Sequence, residues 1–200
     1  MEIIAIMGSP RRGGNCEVLL DEFLRERGKI QEVKTLIPAQ MDIGFCRGCR
    51  SCESTGHCVL SDDMQGAADL LMGCKGVILS APVFFYGFPA SMKAFIDRMQ
   101  FLWSRKYFLK KQFEEKKGFL LSVGATRGKR LFEGVKLTTR YFFDSFGCEY
   151  SGDAFFRGFD RKGEIAQCGE CLQEVRIKAT DFFTSIIKLR GAAGERSENT

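Results

Sequence analysis

The sequence lacks any apolar stretch long enough to cross a bilayer. Its longest apolar runs, such as residues 76–83, are far shorter than the roughly 18 to 20 residues that a membrane-spanning helix needs. The first residues have the pattern of a strand and not of a secretory segment, and the nine cysteines are an odd number, so a disulfide framework is a poor explanation for the dense cysteine cluster at residues 46–58. We therefore expect a soluble, cytoplasmic protein without membrane contact, in which reduced thiols of this cluster hold a metal.

A large excess of charge of either sign is also missing. The chain has 30 Lys and Arg against 25 Asp and Glu, which gives a net charge of +5 without a long block of one sign. This excess is too small to indicate binding of nucleic acid. With 200 residues, of which 44% are hydrophobic and 28% charged, the chain suits one domain that buries a full core.

What the sequence does contain is a repeated alternation of strand and helix patterns. There are five short apolar runs, and each is followed by a helical pattern with one apolar side. This alternation predicts an α/β fold with a doubly wound, five-stranded parallel sheet of the flavodoxin-like type, in strand order 2-1-3-4-5. The five predicted strands are residues 2–7, 30–37, 76–82, 118–124 and 149–156, and the helices are residues 15–28, 61–73, 92–103, 131–146 and 172–186.

The loop after the first strand is suited to a phosphate. Residues 9–15, Ser-Pro-Arg-Arg-Gly-Gly-Asn, lead into a helix whose positive end and backbone N–H groups point at one spot. The loop has neither the Gly-x-Gly-x-x-Gly nor the Gly-Lys-Ser/Thr pattern, so a single monoester phosphate is favoured over a dinucleotide or a nucleoside triphosphate. An ordinary turn between strand and helix is the alternative. The candidate residues are Ser9, Arg11, Gly14, Asn15 and Cys16.

Two further loops are suited to flank a flat ring. An aromatic loop follows the third strand, and a turn of small residues follows the fourth. Because ligands of such sheets bind at the carboxyl ends of the strands, the three loops can serve one ligand, and FMN would use all of them. The residues assigned to the isoalloxazine are Pro82, Val83, Phe84, Phe85, Tyr86, Gly87, Gly124, Ala125 and Thr126.

Four of the nine cysteines lie within thirteen residues, in a loop inserted after the second strand at residues 41–60. Cys46, Cys49, Cys52 and Cys58 have the spacing Cys-x2-Cys-x2-Cys-x5-Cys, which favours a [4Fe-4S] cluster because structural zinc usually uses two well-separated Cys-x2-Cys pairs. Zinc and unmetallated thiols remain as alternatives. We assign residues 1–190, including this loop, to a single FMN-binding domain, and residues 191–200 to a disordered tail.

The other thiols and the single histidine receive simpler interpretations. His57 is interpreted as an exposed loop residue in preference to a ligand. The pair Cys168-Gly-Glu-Cys171 has the spacing of a dithiol but opens a helix without a preceding thioredoxin-type strand pattern, so redox function is the less favoured interpretation. Small buried side chains are expected at Cys16, Cys74 and Cys148.

Two segments resemble the motifs of NADPH-dependent FMN reductase-type flavoproteins, namely residues 8–15 and residues 81–98. Within that superfamily, the cysteine run followed by Asp62-Asp63-Met64 resembles the archaeal and bacterial iron-sulfur flavoproteins. The resemblance implies a flavodoxin-like fold, FMN, a [4Fe-4S] cluster and homodimers or homotetramers. It also implies electron exchange with a carrier such as ferredoxin.

The leading hypothesis is therefore an electron-transfer oxidoreductase whose chemistry takes place on FMN, without catalytic side chains. In it a low-potential donor reduces the cluster, the cluster passes electrons to FMN, and FMN reduces a small acceptor. The alternative is an NAD(P)H-dependent FMN or quinone reductase with no assembled cluster. A third interpretation is a non-catalytic flavin or metal sensor that presents the cysteine loop to a partner. It ranks last because nothing in the sequence resembles an interaction module.

Overall fold

Five parallel strands form one sheet in the order β2-β1-β3-β4-β5, as predicted. The computed structural model describes residues 2–28, 30 and 32–197, with the backbone alone for Glu2 and residues 190–197. The observed order confirms the predicted fold class. The central strands are apolar and almost wholly buried, as expected for a parallel sheet covered on both faces, whereas the edge strand at residues 32–36 has only exposed and half-buried residues. The strands are β1 (Glu2–Met7), β2 (Glu32–Leu36), β3 (Gly76–Pro82), β4 (Lys116–Gly124) and β5 (Cys148–Arg157).

Helices cover both faces of the sheet. The α-helices are α1 (Asn15–Arg25), α2 (Ser51–Thr55), α3 (Met64–Gly73), α4 (Ala90–Arg98), α5 (Gln100–Tyr107), α6 (Glu133–Asp144) and α7 (Gly169–Ser197), with short 3-10 helices at Pro38–Gln40 and Glu164–Gln167. Helices α3 to α6 pack on one face, and α1 and α7 on the other. Alternate side chains of β1 pack on opposite faces of the sheet. Ile4 and Ile6 lie in the core with α3 to α6, and Ile3 and Ala5 lie in the core with α1 and α7.

The largest differences from the predicted helix bounds lie at α4, α5 and α7. The helix predicted at residues 92–103 is divided at Met99, whose ψ of 0° departs from the ordinary helical value, into α4 and α5. Helix α7 continues to Ser197, whereas the sequence analysis placed a disordered tail at residues 191–200; residues 198–200 lie outside the described part. A long helix adds one hydrogen bond for each further residue, and Gly191 does not stop this propagation.

None of the helices in residues 2–28, 30 and 32–197 combines the length and apolar composition that crossing a membrane requires.

Candidate functional site

A cavity of about 250 Å³ lies at the carboxyl ends of β1, β3 and β4, where the three predicted loops meet. The structure brings together most of the residues assigned to FMN, from all three loops. Those that line the cavity are Ser9, Arg11, Gly14, Asn15, Cys16, Pro82, Val83, Phe84, Gly124 and Ala125.

The first loop presents the uncapped N-terminus of α1 to this cavity. Gly14 is the residue before the helix and supplies no side-chain cap, so the first backbone N–H groups are open to a ligand anion. The side chain of Asn15 is largely buried, and its amide holds the loop in place. Its Nδ2 donates to the Arg161 carbonyl at 3.1 Å, and its Oδ1 accepts from the Ile165 N–H at 3.1 Å.

Arg11 brings a positive charge to the same loop. Its Nη1 donates to the Asp160 carbonyl at 3.1 Å, while its backbone N–H donates to Ser9 Oγ at 3.2 Å. The guanidinium is therefore tied to the segment after β5, and the backbone of Arg11 is held within the phosphate-type loop by Ser9. An open helix end beside an arginine suits a phosphate monoester.

Part of the aromatic loop turns away from the cavity. Phe84 and Gly87 exchange backbone hydrogen bonds of 2.9 Å, which closes a tight turn with positive φ at Phe85 and Tyr86. This turn leaves Phe85 fully exposed and Tyr86 more than half exposed. The residues assigned to the flavin that do not line the cavity are Phe85, Tyr86, Gly87 and Thr126.

Four lining residues were not foreseen: Pro10, Val123, Phe159 and Asp160. Phe159 and Asp160 follow β5, so their position after a strand at the same edge of the sheet was the signal that could have found them. Pro10 and Val123 adjoin predicted residues.

The thiol of Cys16 is neutral at ordinary pH. Burial raises the pKa of Cys16 to about 12, and its carbonyl accepts a hydrogen bond from Ser80 Oγ at 2.8 Å. Cys74 and Cys148 are buried as well, and the prediction that these three cysteines are small core residues is confirmed. Cys16 lines the sheet-edge cavity as an uncharged surface, but it supplies no thiolate.

The four cysteines of the loop line a second cavity, of about 240 Å³. Cys46 and Cys49 are exposed, and Cys52 and Cys58 are half-buried. Left-handed backbone at Gly48, Arg50 and Gly56 lets the loop fold back so that cysteines twelve positions apart face one space. The remaining lining residues are Arg47, Gly48, Arg50, Glu53, Val59, Leu60, Arg98, Gln100 and Phe101.

The donor set of this second cavity fits a sulfur-bound cluster. Within the part of the chain that the structure describes, no three His, Cys, Asp or Glu side chains are grouped to hold a metal ion, although all four cysteines of the loop are among the residues that line the cavity. A hydrogen bond from the backbone of Ser51 lowers the pKa of Cys49, which favours the thiolate that binds iron. The assignment of the four cysteines as cluster ligands stays a prediction.

Arg98 gives independent support for a sulfur acceptor in this cavity. Its side chain is buried, and among the described residues none accepts a hydrogen bond from its Nε. Burial opposes the charge of Arg98, but hydrogen bonding to Asp62 and the charge of Cys58 raise its pKa above the ordinary value. A thiolate or cluster sulfide in the cavity would satisfy the free N–H group.

A second arginine holds the far end of the loop. Arg105 on α5 donates from Nε to the Gly56 carbonyl at 2.6 Å, and its Nη2 lies 3.1 Å from His57 Nδ1. His57 is exposed and does not line the cysteine cavity, which agrees with its interpretation as a loop residue.

Comparison with known proteins gives a consistent assignment. The family model described as NADPH-dependent FMN reductase matches residues 1–136. The chain is 35% identical over 130 residues to an iron-sulfur flavoprotein of Methanosarcina thermophila, covering 64% of this chain and 65% of that protein. It is 39% identical over 100 residues to an iron-sulfur flavoprotein of Archaeoglobus fulgidus, covering 50% of this chain and 46% of that protein. The chain thus spans less than two-thirds of the length of these relatives, and the matches confirm the predicted resemblance.

The fold is shared with more distant proteins. The structure of the Trp repressor binding protein from Bacillus subtilis superimposes with a TM-score of 0.58 at 19% identity, over 90% of this chain and 96% of that chain. This likeness supports the flavodoxin-like architecture alone.

Proposed function

Because the chain belongs to the NADPH-dependent FMN reductase family, we propose that it is an FMN-dependent oxidoreductase that passes electrons between a [4Fe-4S] cluster in the cysteine cavity, FMN at the sheet edge and a small acceptor. The observation that carries the proposal is the position of α4. The loop before this helix contributes Phe84 to the first cavity, and Arg98 at its end lines the second. At 1.5 Å per residue, the nine-residue helix between them is about 13.5 Å long.

The side chains at the sheet edge bind and orient FMN. The open N–H groups at Gly14 and the charge of Arg11 would receive the phosphate. Pro82, Val83 and Gly124 offer apolar and backbone surface to the ring. When bound, FMN exchanges one or two electrons, which couples single-electron delivery to two-electron reduction of an acceptor.

The side chains at the cysteine cavity hold the cluster and the loop around it. The cysteines supply thiolates, and Arg98 offers Nε–H to a sulfur. Hydrogen bonds to cluster sulfurs raise the reduction potential of a cluster, since they stabilise its more negative reduced form. Arg98 is thus a positioning residue at this site.

A ferredoxin-like carrier is the partner that the charges around the cysteine cavity favour. Arg47 and Arg50 are exposed at its rim, where Arg50 pairs with Glu53 at 2.9 Å and Arg47 leaves an excess of positive charge. Phe45 and Val59 are exposed apolar side chains of the same loop. A carrier with an acidic surface around its own cluster would be attracted to this rim, and the attraction would weaken with salt. The predicted homodimer or homotetramer stays a prediction.

The alternative function is an NAD(P)H-dependent FMN or quinone reductase without a cluster. It is favoured by the family model, whose description names NADPH as the reductant. In this case the open cavity at the sheet edge would receive the nicotinamide beside FMN, and the cysteine loop would be structural.

One preparation tests both functions. The protein is purified anaerobically, and its absorption spectrum is recorded with iron, sulfide and FMN analysis. The proposal expects a brown protein with about four iron and about four sulfide per chain. It also expects rapid FMN bleaching by a reduced ferredoxin and slow bleaching by NADPH. An iron-free yellow protein that NADPH bleaches rapidly would overturn it in favour of the alternative.

A further inference from the structure

A pair of cysteines outside both cavities is joined at the start of the last helix. Cys168 and Cys171 form a disulfide, and both side chains are half-buried. Cys168 precedes α7, and its carbonyl accepts the Leu172 N–H at 3.1 Å. The proposed electron path uses neither sulfur.

The surroundings of Cys168 favour a thiolate there once the disulfide is broken. The backbone N–H of Cys171 donates to Cys168 Sγ at 3.3 Å. The sulfur also lies at the N-terminus of a helix of 29 residues, where the positive end of the helix dipole stabilises negative charge. Cys168 is therefore the better leaving group of the two, since a stabilised thiolate leaves faster.

The same turn supports the phosphate-type loop. The N–H of Cys168 donates to the Ile165 carbonyl at 3.0 Å, and the N–H of Ile165 donates to Asn15 Oδ1 at 3.1 Å. Asn15 in turn holds the Arg161 carbonyl, and Asp160 lines the sheet-edge cavity. The disulfide thus closes the C-terminal end of a segment, residues 159–168, whose other contacts position the residue at the start of α1.

We propose that Cys168 and Cys171 form a redox-active disulfide that a dithiol reduces, and that reduction weakens FMN binding by loosening residues 159–168. The proposal goes beyond electron transfer through a cluster. It requires FMN in the sheet-edge cavity, but it does not require iron.

The exchange balances without any further reactant. A thiolate of the dithiol attacks Cys171 Sγ, the bond between the two cysteines breaks, and Cys168 leaves as a thiolate that takes up a proton. The second thiol of the reagent then attacks its own mixed disulfide and releases Cys171, which is protonated in turn. Two electrons and two protons pass from the dithiol to the protein, and the reagent becomes a disulfide.

A single peptide reports the state of this pair. Cleavage by trypsin after Lys162 and Arg176 yields residues 163–176, which contain Cys168 and Cys171 and none of the other seven cysteines. FMN-loaded protein is equilibrated anaerobically with mixtures of reduced and oxidised dithiothreitol and alkylated before digestion. We expect this peptide to change from unlabelled to doubly labelled as the reduced share increases. A peptide that stays unlabelled, or stays doubly labelled, in every mixture would overturn the proposal.

FMN affinity is then measured by flavin fluorescence in the most reduced and in the most oxidised dithiothreitol mixture. We expect about fivefold weaker binding in the reduced state, at the lower end of usual coupling between sites. The matched control is the double variant Cys168→Ser/Cys171→Ser, for which the affinity should equal that of the reduced protein in every mixture. Equal affinity of the wild type in both states, or an unchanged response in the double variant, would refute the coupling. Neither readout depends on iron content or on bleaching by NADPH, so a failure here is separate from a failure of the proposed function.

Discussion

Arg98 and Asp62 form a buried ion pair that closes the cysteine loop. Their side chains are 0% and 7% exposed. Arg98 Nη2 donates to Asp62 Oδ1 at 3.0 Å, and Nη1 donates to Oδ2 and also to the Gly44 carbonyl at 2.7 Å. The Gly44 N–H donates to Asp62 Oδ2 at 2.9 Å. Since Gly44 precedes Cys46 and Asp62 follows Cys58, this pair fixes both ends of the loop to α4.

Replacing Asp62 by asparagine should strongly destabilise the protein. The substitution leaves the Arg98 charge buried without its counter-charge, and breaking a buried pair from one side costs about 3 kcal/mol or more. We expect a loss of this size in the free energy of unfolding, measured by circular dichroism in urea.

Asp97→Asn is the matched control. Asp97 pairs with Lys93 on the exposed side of the same helix, at 2.6 Å and with both side chains about half exposed. Surface pairs of this kind contribute about 0.5 kcal/mol. Equal losses in the two variants would contradict a special role for the buried pair.

The contribution of Asp62 should depend on pH in a defined direction. Burial opposes the ionisation of Asp62, but hydrogen bonds from Arg98 and from the Gly44 and Met64 backbone lower its pKa below 3.8. A depressed pKa stabilises the folded state fully above the unfolded value and loses this effect as the pH falls through the folded value. The free energy of unfolding should therefore be measured for both proteins between about pH 6 and about pH 3. The excess of the wild type over Asp62→Asn should shrink below about pH 4. An advantage that grows on acidification would refute this account.

Removing the Cys49 thiol should release iron without releasing FMN. Cys49 is exposed, so alanine there removes little packing, while the proposed cluster would lose one of its four proposed ligands. We expect Cys49→Ala, purified anaerobically, to lose most of its iron and sulfide and to keep its FMN content.

The control for this variant lies on α2, within the same loop. Ser54 is exposed, and its Oγ donates only to the Ser51 carbonyl, at 3.2 Å. Ser54→Ala should retain full iron and sulfide. If Cys49→Ala did so too, Cys49 would not be a ligand.

A methyl group at Gly134 should disturb the aromatic loop. A Cβ there would lie 2.1 Å from the Tyr86 carbonyl oxygen, so either α6 or the turn at residues 84–87 must shift. We expect Gly134→Ala to destabilise the protein by about 1–3 kcal/mol, as overpacking does, and to weaken FMN binding measured by fluorescence.

Gly66→Ala tests the same substitution without a clash. Gly66 is exposed within α3, and a Cβ there meets nothing within 4 Å. Alanine should be neutral or stabilise the helix by up to about 1 kcal/mol. A loss of FMN affinity in this variant as well would show that the Gly134 effect is not local.

The strand order and the position of the flavin loops could be predicted because they follow from local patterns. The apolar run at residues 2–7 is typical of a strand covered on both faces, and the loop at residues 9–15 then lies at its carboxyl end. The alternation of strands and helices leaves few ways to order the sheet. For the same reason the cysteine spacing by itself indicates a common ligand.

The sequence by itself therefore determined the sheet, the edge of the sheet at which the three loops meet and the loop that carries the thiols, because each depends on neighbours along the chain. Only the tertiary structure decided which side chains face the cavities. A turn with positive φ at Phe85 and Tyr86 directs both away from the flavin cavity, and Asp160 enters it after β5. Contacts between distant positions, such as Arg98 with Asp62 and Asn15 with Ile165, depend on how the helices pack and leave no local pattern in the sequence.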